Sequence, residues 1–334
     1  MTTATGPVAH RRRELPWWSR FINVLGPMIM IVALCIVMAF AQPRFFGVPN
    51  LMIILHDMAI YMVLGMAMTL VITARGIDLS IGAVAALSAV VMAMLIKDGG
   101  WNAYLAMAAA VGIGLVCGFV NSVIITRIRV PDLLATLAMD QVYRGIALVL
   151  AAGTVLAQFP DPIPFIGRGR LFDTVPVSAI VGILALLLGF VLYNYTFIGR
   201  YAAAIGGNKE SAILAGINVV RHKTYQYVLM GGAAAVAGIL LTGRLNAVQA
   251  TVGQGFALHT IAAVVVGGTV LFGGRGTMVG TLVGVTLLSM VTNAMVMLRF
   301  PFFWQLVASG VIIIASIGFY SYMLRRDNKD KEDF

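Results

Sequence analysis

The chain predicts an all-α polytopic membrane protein with about ten transmembrane helices, and three observations carry that expectation. Charges are sparse, with only 11% Asp, Glu, Lys and Arg, where a soluble domain carries roughly 25%. Hydrophobic residues make up 60%, and mean hydropathy is +0.95. The apolar residues also fall into runs close to the roughly 20 residues that cross a 30 Å hydrocarbon core.

The first run, 22–41, follows the basic residues Arg11, Arg12, Arg13 and Arg20 and ends at Gln42-Pro43-Arg44. It reads as a first span, because it is too long for a cleavable leader and no small-residue cleavage site follows. The next runs are 51–73 and 79–96, joined by Gly76-Ile77-Asp78-Leu79-Ser80-Ile81-Gly82. Asp78 or Ser80 is expected to cap the third span. Run 103–126 carries Gly114 and Gly118 at a spacing that lets two helix backbones approach. Runs 133–152, 177–195 and 224–243 follow. Run 258–272 is short and contains Gly267-Gly268, so it is expected to be broken or re-entrant, with its backbone satisfied by protein. Run 277–298 opens on Gly276, Gly280 and Gly284, and run 302–324 closes the series. The small-residue stripes are expected to pack within one subunit. Cys35 and Cys117 fall inside runs and are expected to be apolar fillers, not a disulfide. Residues 69–76 and 269–276 share a faint likeness, a weak hint of an internal repeat.

Domain organisation follows directly. Residues 1–20 form a basic cytoplasmic segment, 21–324 a single transmembrane domain, and 325–334 a cytoplasmic tail. The longest internal polar stretches are 153–176 and 196–223. The net charge of +10 is read as orientation in a bilayer, and nucleic-acid binding is rejected. With the N-terminus inside and ten spans threaded, 16 of the 23 basic residues fall on the cytoplasmic side and six outside. That asymmetry predicts both termini in the cytoplasm.

Catalysis finds no support in the motifs. No phosphate loop, zinc-protease helix or Cys/His cluster is present, and His10, His56, His222 and His259 are scattered. The chemistry rests with the few charges at membrane depth, which are costly there and tend to face a bundle interior or a water path. Asp57 lies early in the second run. Asp140 and Arg144 are four apart on one face of the fifth, where they are expected to pair. They either pin helix packing or line a polar path.

The most distinctive loop runs through Gly207, Asn208, Lys209, Glu210, Ser211, Ala212, Ala215, Gly216 and Ile217. It reads as a short helix. Asn208 caps its free amides, Glu210 suits the positive end of its dipole, and Gly216 takes the left-handed residue after its last turn with Ile217 folding back. So short a helix needs a surface to lie on, either lipid headgroups or a partner.

This loop resembles the coupling-helix loop of ABC-importer permeases of the ribose/xylose/galactose type. Three further stretches are similar to that family, in its order: Gly76 to Gly82, Val130-Pro131 with Ala135-Thr136-Leu137 and Arg144-Gly145, and Ile261 to Thr269 with Gly273-Gly274-Arg275-Gly276-Thr277. The likeness covers about 50–324. It implies a type II, vitamin-B12-importer-like permease fold in a bacterial inner membrane. It also implies a partner ABC ATPase subunit that holds ATP and Mg, so that this chain needs no cofactor. A periplasmic sugar-binding protein and a second permease subunit complete the expected assembly. One departure stands out: Ala257 and His259 occupy positions where the family commonly carries carboxylates. The path or gate candidates are therefore Asp57, Asp78, Ser80, Asp140, Arg144 and His259. The competing expectation is an ion-coupled secondary transporter of a small polar solute, for which only Asp57 and Asp140 are candidate ion ligands.

Overall fold

The computed structural model describes residues 19–301 and, beyond them, residues 303–305, 307, 308, 310, 311, 314 and 318, which are helical. The expected basic segment 1–20 and tail 325–334 lie outside the described residues, apart from Ser19 and Arg20, as does most of run 302–324.

Twelve α-helices occur among the described residues up to 301. They are α1 (Ser19–Ala41), α2 (Val48–Thr73), α3 (Ile81–Lys97), α4 (Ala103–Val123), α5 (Asp132–Leu150), α6 (Ile163–Arg168), α7 (Val177–Tyr195), α8 (Phe197–Gly207), α9 (Lys209–Leu214), α10 (Val219–Leu245), α11 (Phe256–Val266) and α12 (Met278–Met297). A π-helical turn, Ile124–Ile128, extends α4. Six helices are long and apolar enough to cross a membrane: α2, α4 with its extension, α5, α7, α10 and α12. The described part of α1, together with α3 and α11, is apolar but shorter. The chain is thus a multi-pass membrane protein, and its first nine apolar runs each contain one helix.

The polar stretch 153–176 is more structured than expected. It holds α6 and three two-residue strands: β2 (Arg170–Leu171) pairs with β3 (Val175–Pro176), and β1 (Leu156–Ala157) pairs with β4 (Ala247–Val248) after α10, both antiparallel.

Helices α2 and α10 are mostly buried, whereas α5 and α7 are mostly exposed. Small residues decide this, because the apolar runs themselves show little difference between faces. A Cβ on Gly114 or Gly118 of α4 would strike the α10 backbone at Gly231 or Tyr227. Gly280 and Gly284 of α12 meet Gly267 and Ala263 in the same way. The stripes therefore pack inside one subunit, as expected. Gly276 lies before α12 and faces the side chains of Thr73 and Thr269 instead. Cys35 and Cys117 are free, and Cys117 is buried.

Two expectations are refined. Run 258–272 is helical only to Val266, since Gly268 turns left-handed at φ +91°. The turn that follows is closed by protein: Val270 N donates to the Arg275 carbonyl, and Gly274 N to the Thr73 carbonyl. Residues 69–76 and 269–276 do not repeat a structure. The first ends a helix, and the second is that turn.

Candidate functional site

One end of the bundle gathers the loop between α2 and α3, the start of α5, helices α8 and α9, the start of α10 and the turn after α11. The site grows from local chemistry. Thr196 accepts a bond from Ile198 N and so starts α8. Phe197, Tyr201, Ala202 and Ile205 recur at helical spacing, and Ala202 and Ile205 are buried against Ala74 and Ala212. Gly206 is forced by proximity: a Cβ there would strike the Thr73 carbonyl and the Gly274 amide.

Helix α9 forms as its sequence implies. Asn208 Oδ1 accepts from Ser211 N at 2.9 Å. Gly216 adopts φ +81°, and Ile217 N returns to the Ala212 carbonyl at 3.0 Å. The surface it needs is partly its own chain, because Ala212 is buried in the small cluster with Ala202 and Ile205. Its other face is open. Lys209, Glu210, Ser211, Ala215 and Gly216 are exposed, and so are the apolar Ile213 and Leu214, the latter at 88%.

Arg75 fastens this assembly. It takes φ +59°, and its Nε donates to the Phe272 carbonyl at 2.8 Å while Nη2 reaches the Gly207 carbonyl at 3.3 Å. The last carbonyls of α8 carry the negative end of its dipole, where a cation is favoured. A displacement of α9 therefore has a short path through α8 to the end of α2 and to the turn after α11.

A second cluster ties α5 to α10. Asp132 Oδ2 accepts from Lys223 Nζ at 2.6 Å and from Tyr227 Oη at 2.8 Å. Its place in the first turn of α5 suits the helix dipole as well. Tyr227 Oη also lies 3.2 Å from the Ile77 carbonyl, so the α2–α3 loop is held from below. Sequence reasoning passed over Arg75, Asp132, Lys223, Tyr227 and α8. Two signals were present, the four-residue spacing of Lys223 and Tyr227 and the apolar spacing in α8. The bonds of Arg75 had no local signal.

Of the two residues expected to cap α3, Ser80 fails, while Asp78 takes the amide of the residue before the helix. Ser80 precedes α3 but makes no side-chain cap. Its hydroxyl donates to Asp78 Oδ1 at 2.7 Å, and its amide goes to the same oxygen at 2.9 Å. Ser80 Oγ accepts from Asn121 of α4, whose Oδ1 accepts from Tyr143 of α5 at 3.0 Å. Asp78, only 1% exposed, thus heads a buried chain across three helices. Burial pushes its carboxyl above the usual range, opposed by the bonds from Ser80.

Asp140 and Arg144 do pair, at 3.4 Å. Arg144 also donates to the carbonyls of Ala250 at 3.0 Å and Val252 at 3.4 Å, so it anchors the segment leading into α11. At the opposite end, Asp57 pairs with Arg244 in the last turn of α10. The His259 ring stacks 4.3 Å from Tyr61, and its Nε2 has no hydrogen-bond partner among the described residues. The six path candidates are therefore not one site. Asp78 and Ser80 form one network, Asp140 and Arg144 a second, and Asp57 and His259 lie toward the other end. No cluster of His, Cys, Asp and Glu able to hold a metal occurs among the described residues.

Residues 50–317 match the family described as "Branched-chain amino acid transport system / permease component". The chain belongs to this permease family. The permease is similar to the ribose import permease protein of Bacillus subtilis (strain 168), at 39% identity over 88% of this chain and 91% of that one. It is 36% identical to the ribose import permease protein of Escherichia coli (strain K12), over 95% and 98% of the two chains. The fructose import permease protein of Rhizobium meliloti is 35% identical over 82% and 78%. No solved structure matches the permease. The resemblance to monosaccharide-importer permeases is borne out by these relatives.

Proposed function

We propose that the permease is the membrane-spanning subunit of an ATP-driven importer that takes a monosaccharide or related polyol from a periplasmic binding protein. It sits in the bacterial inner membrane with ten spans and both termini inside, in a type II arrangement with a second permease subunit. The end that carries α9 faces the cytoplasm. There an ABC ATPase subunit, which holds ATP and Mg, docks on Lys209, Glu210, Ile213 and Leu214. This chain performs no covalent chemistry and needs no cofactor of its own.

The observation that carries this reading is the construction of α9. It presents an open face outward, while its inner face and the adjoining α8 are locked to the ends of α2 and α11 through Ala212, Gly206 and Arg75. Closure of the ATPase halves would push a rigid lever. The lever moves the α2 terminus, the buried Asp78–Tyr143 chain and the turn after α11 together, and so switches the cavity between sides. Asp78, Ser80, Asp140 and Arg144 act as packing and gate elements in that switch, and Asp57 and His259 belong to the outer mouth.

Ion coupling is disfavoured because its two candidate carboxylates are each neutralised by their own arginine, Asp57 by Arg244 and Asp140 by Arg144. The relatives named for ribose and fructose import support a monosaccharide as the cargo.

Reconstitution tests the proposal. In liposomes the permease alone should move no sugar with either ATP or a proton gradient. With ATPase and binding protein added, ATP hydrolysis should rise and labelled monosaccharide should accumulate. Proton-driven uptake by the lone chain would overturn the reading.

A further inference from the structure

We propose that an arginine-lined groove between α4 and α10 binds the phosphate of an anionic phospholipid. The groove has a volume of about 720 Å3 and is lined by Arg127, Arg129, Arg221, Tyr225, Phe119 and Val123 among others, with no carboxylate in its wall. Three exposed arginines line one space, which favours an anion there. Arg127 and Arg129 make no hydrogen bond or ion pair among the described residues. Arg221 donates through Nε to Tyr225 Oη at 2.6 Å and lies 5.7 Å from that ring, which fixes it at the groove wall. The Asp132 carboxylate, on the neighbouring helix, is already held by Lys223 and Tyr227 and is not available to them.

Local backbone supports a built site. The last turn of α4 widens into a π-helix, and Arg129 is held in the left-handed region at φ +68°. π-helical turns and left-handed non-glycine residues both gather at binding sites.

The depth of the groove selects the lipid over a free anion. The apolar span Ala103–Ile128 ends at these arginines, so they sit where hydrocarbon gives way to headgroups. Leading into the groove, α4 exposes Val116 at 58% and the lining Phe119 at 53%, a track along which an acyl chain can lie. A phosphodiester with a tail satisfies both features. Inorganic phosphate satisfies one.

The test uses the full chain in complex with its ATPase, purified into detergent after exposure to phosphatidylglycerol or phosphatidylcholine and read by native mass spectrometry. Wild type should retain phosphatidylglycerol and not phosphatidylcholine, and added inorganic phosphate should not displace it. The triple variant Arg127→Gln, Arg129→Gln, Arg221→Gln should lose retention roughly a hundredfold, given the contribution of each basic residue near an anionic headgroup. The triple Lys variant should keep most of it, which separates lost charge from a misfolded chain. Equal phosphatidylglycerol retention in wild type and the Gln variant would overturn the proposal, as would displacement by inorganic phosphate. Loss of the ATPase from the Gln variant with lipid retention unchanged would assign the groove to protein docking instead.

Discussion

Gly206 and Gly207 are adjacent and chemically identical, and the structure assigns them opposite sensitivities. A methyl group on Gly206 would enter the space of the Thr73 carbonyl and the Gly274 amide, both backbone atoms that cannot rotate away. The same group on Gly207 meets nothing within 4 Å. In Gly206→Ala, α8 must move away from α2, at the roughly 1–3 kcal/mol typical of an overpacked contact. The Gly274 N to Thr73 O bond, 2.8 Å long, is strained or broken, for about 1 kcal/mol more. The expected cost is therefore about 2–4 kcal/mol, placed at the joint between α9 and the bundle. At about 1.4 kcal/mol per tenfold, that is at least thirtyfold in the population of the correctly coupled state. Gly207→Ala should be neutral or slightly favourable, because alanine orders a helical position better than glycine. The assay is ATP-driven uptake of labelled monosaccharide by the reconstituted complex, normalised to permease inserted. Gly206→Ala should insert normally and lose transport, while Gly207→Ala keeps it. Equal, full transport by both would refute the argument that this close approach carries the coupling.

Further expectations follow from other contacts. With Cys35 and Cys117 replaced, a cysteine at Phe172, which is 93% exposed, should label with an impermeant thiol reagent in intact cells, and one at Lys209 should not; labelling at Lys209 from outside would exclude the orientation proposed here. Arg144→Ala should destabilise more than Asp140→Ala, by roughly 1–3 kcal/mol, because only Arg144 also holds the Ala250 and Val252 carbonyls. Thermal unfolding of the two single variants and the double variant tests this, and strictly additive losses would argue against a pair. Asp132→Ala should cost more than Lys223→Ala, since the carboxylate serves both Lys223 and Tyr227. The reverse order in melting temperature would contradict the assignment.

The parts legible in the sequence are those written in local chemistry. The rough placement of the first nine apolar runs follows from the length needed to cross hydrocarbon, and each contains one helix. Helix α9 was readable end to end, because the contacts at its two ends, Asn208 with Ser211 and Ile217 with Ala212 after Gly216, each span five residues or fewer. The Asp140–Arg144 pair was readable for the same reason, as four residues make one turn. The break after Val266 was visible in Gly267-Gly268.

Other features were settled only by the folded chain. The capping role expected of Ser80 was a sound local inference, and it failed because Asp78 and Asn121 compete for the same hydroxyl. Asn121 lies 41 residues away from Ser80 in the chain. Arg75 reaches Gly207 across 132 residues, and Asp57 reaches Arg244 across 187. No periodicity encodes such pairs. Which apolar helix is central was equally hidden, since helices that are hydrophobic on every face carry no stripe that points to the core. Tertiary structure decides it by backbone proximity: Gly114 and Gly118 let α4 seat on α10, and Gly206 lets α8 seat on α2. Composition thus placed this chain in the membrane and local motifs made α9 readable, whereas contacts between distant backbones determined what that helix is joined to.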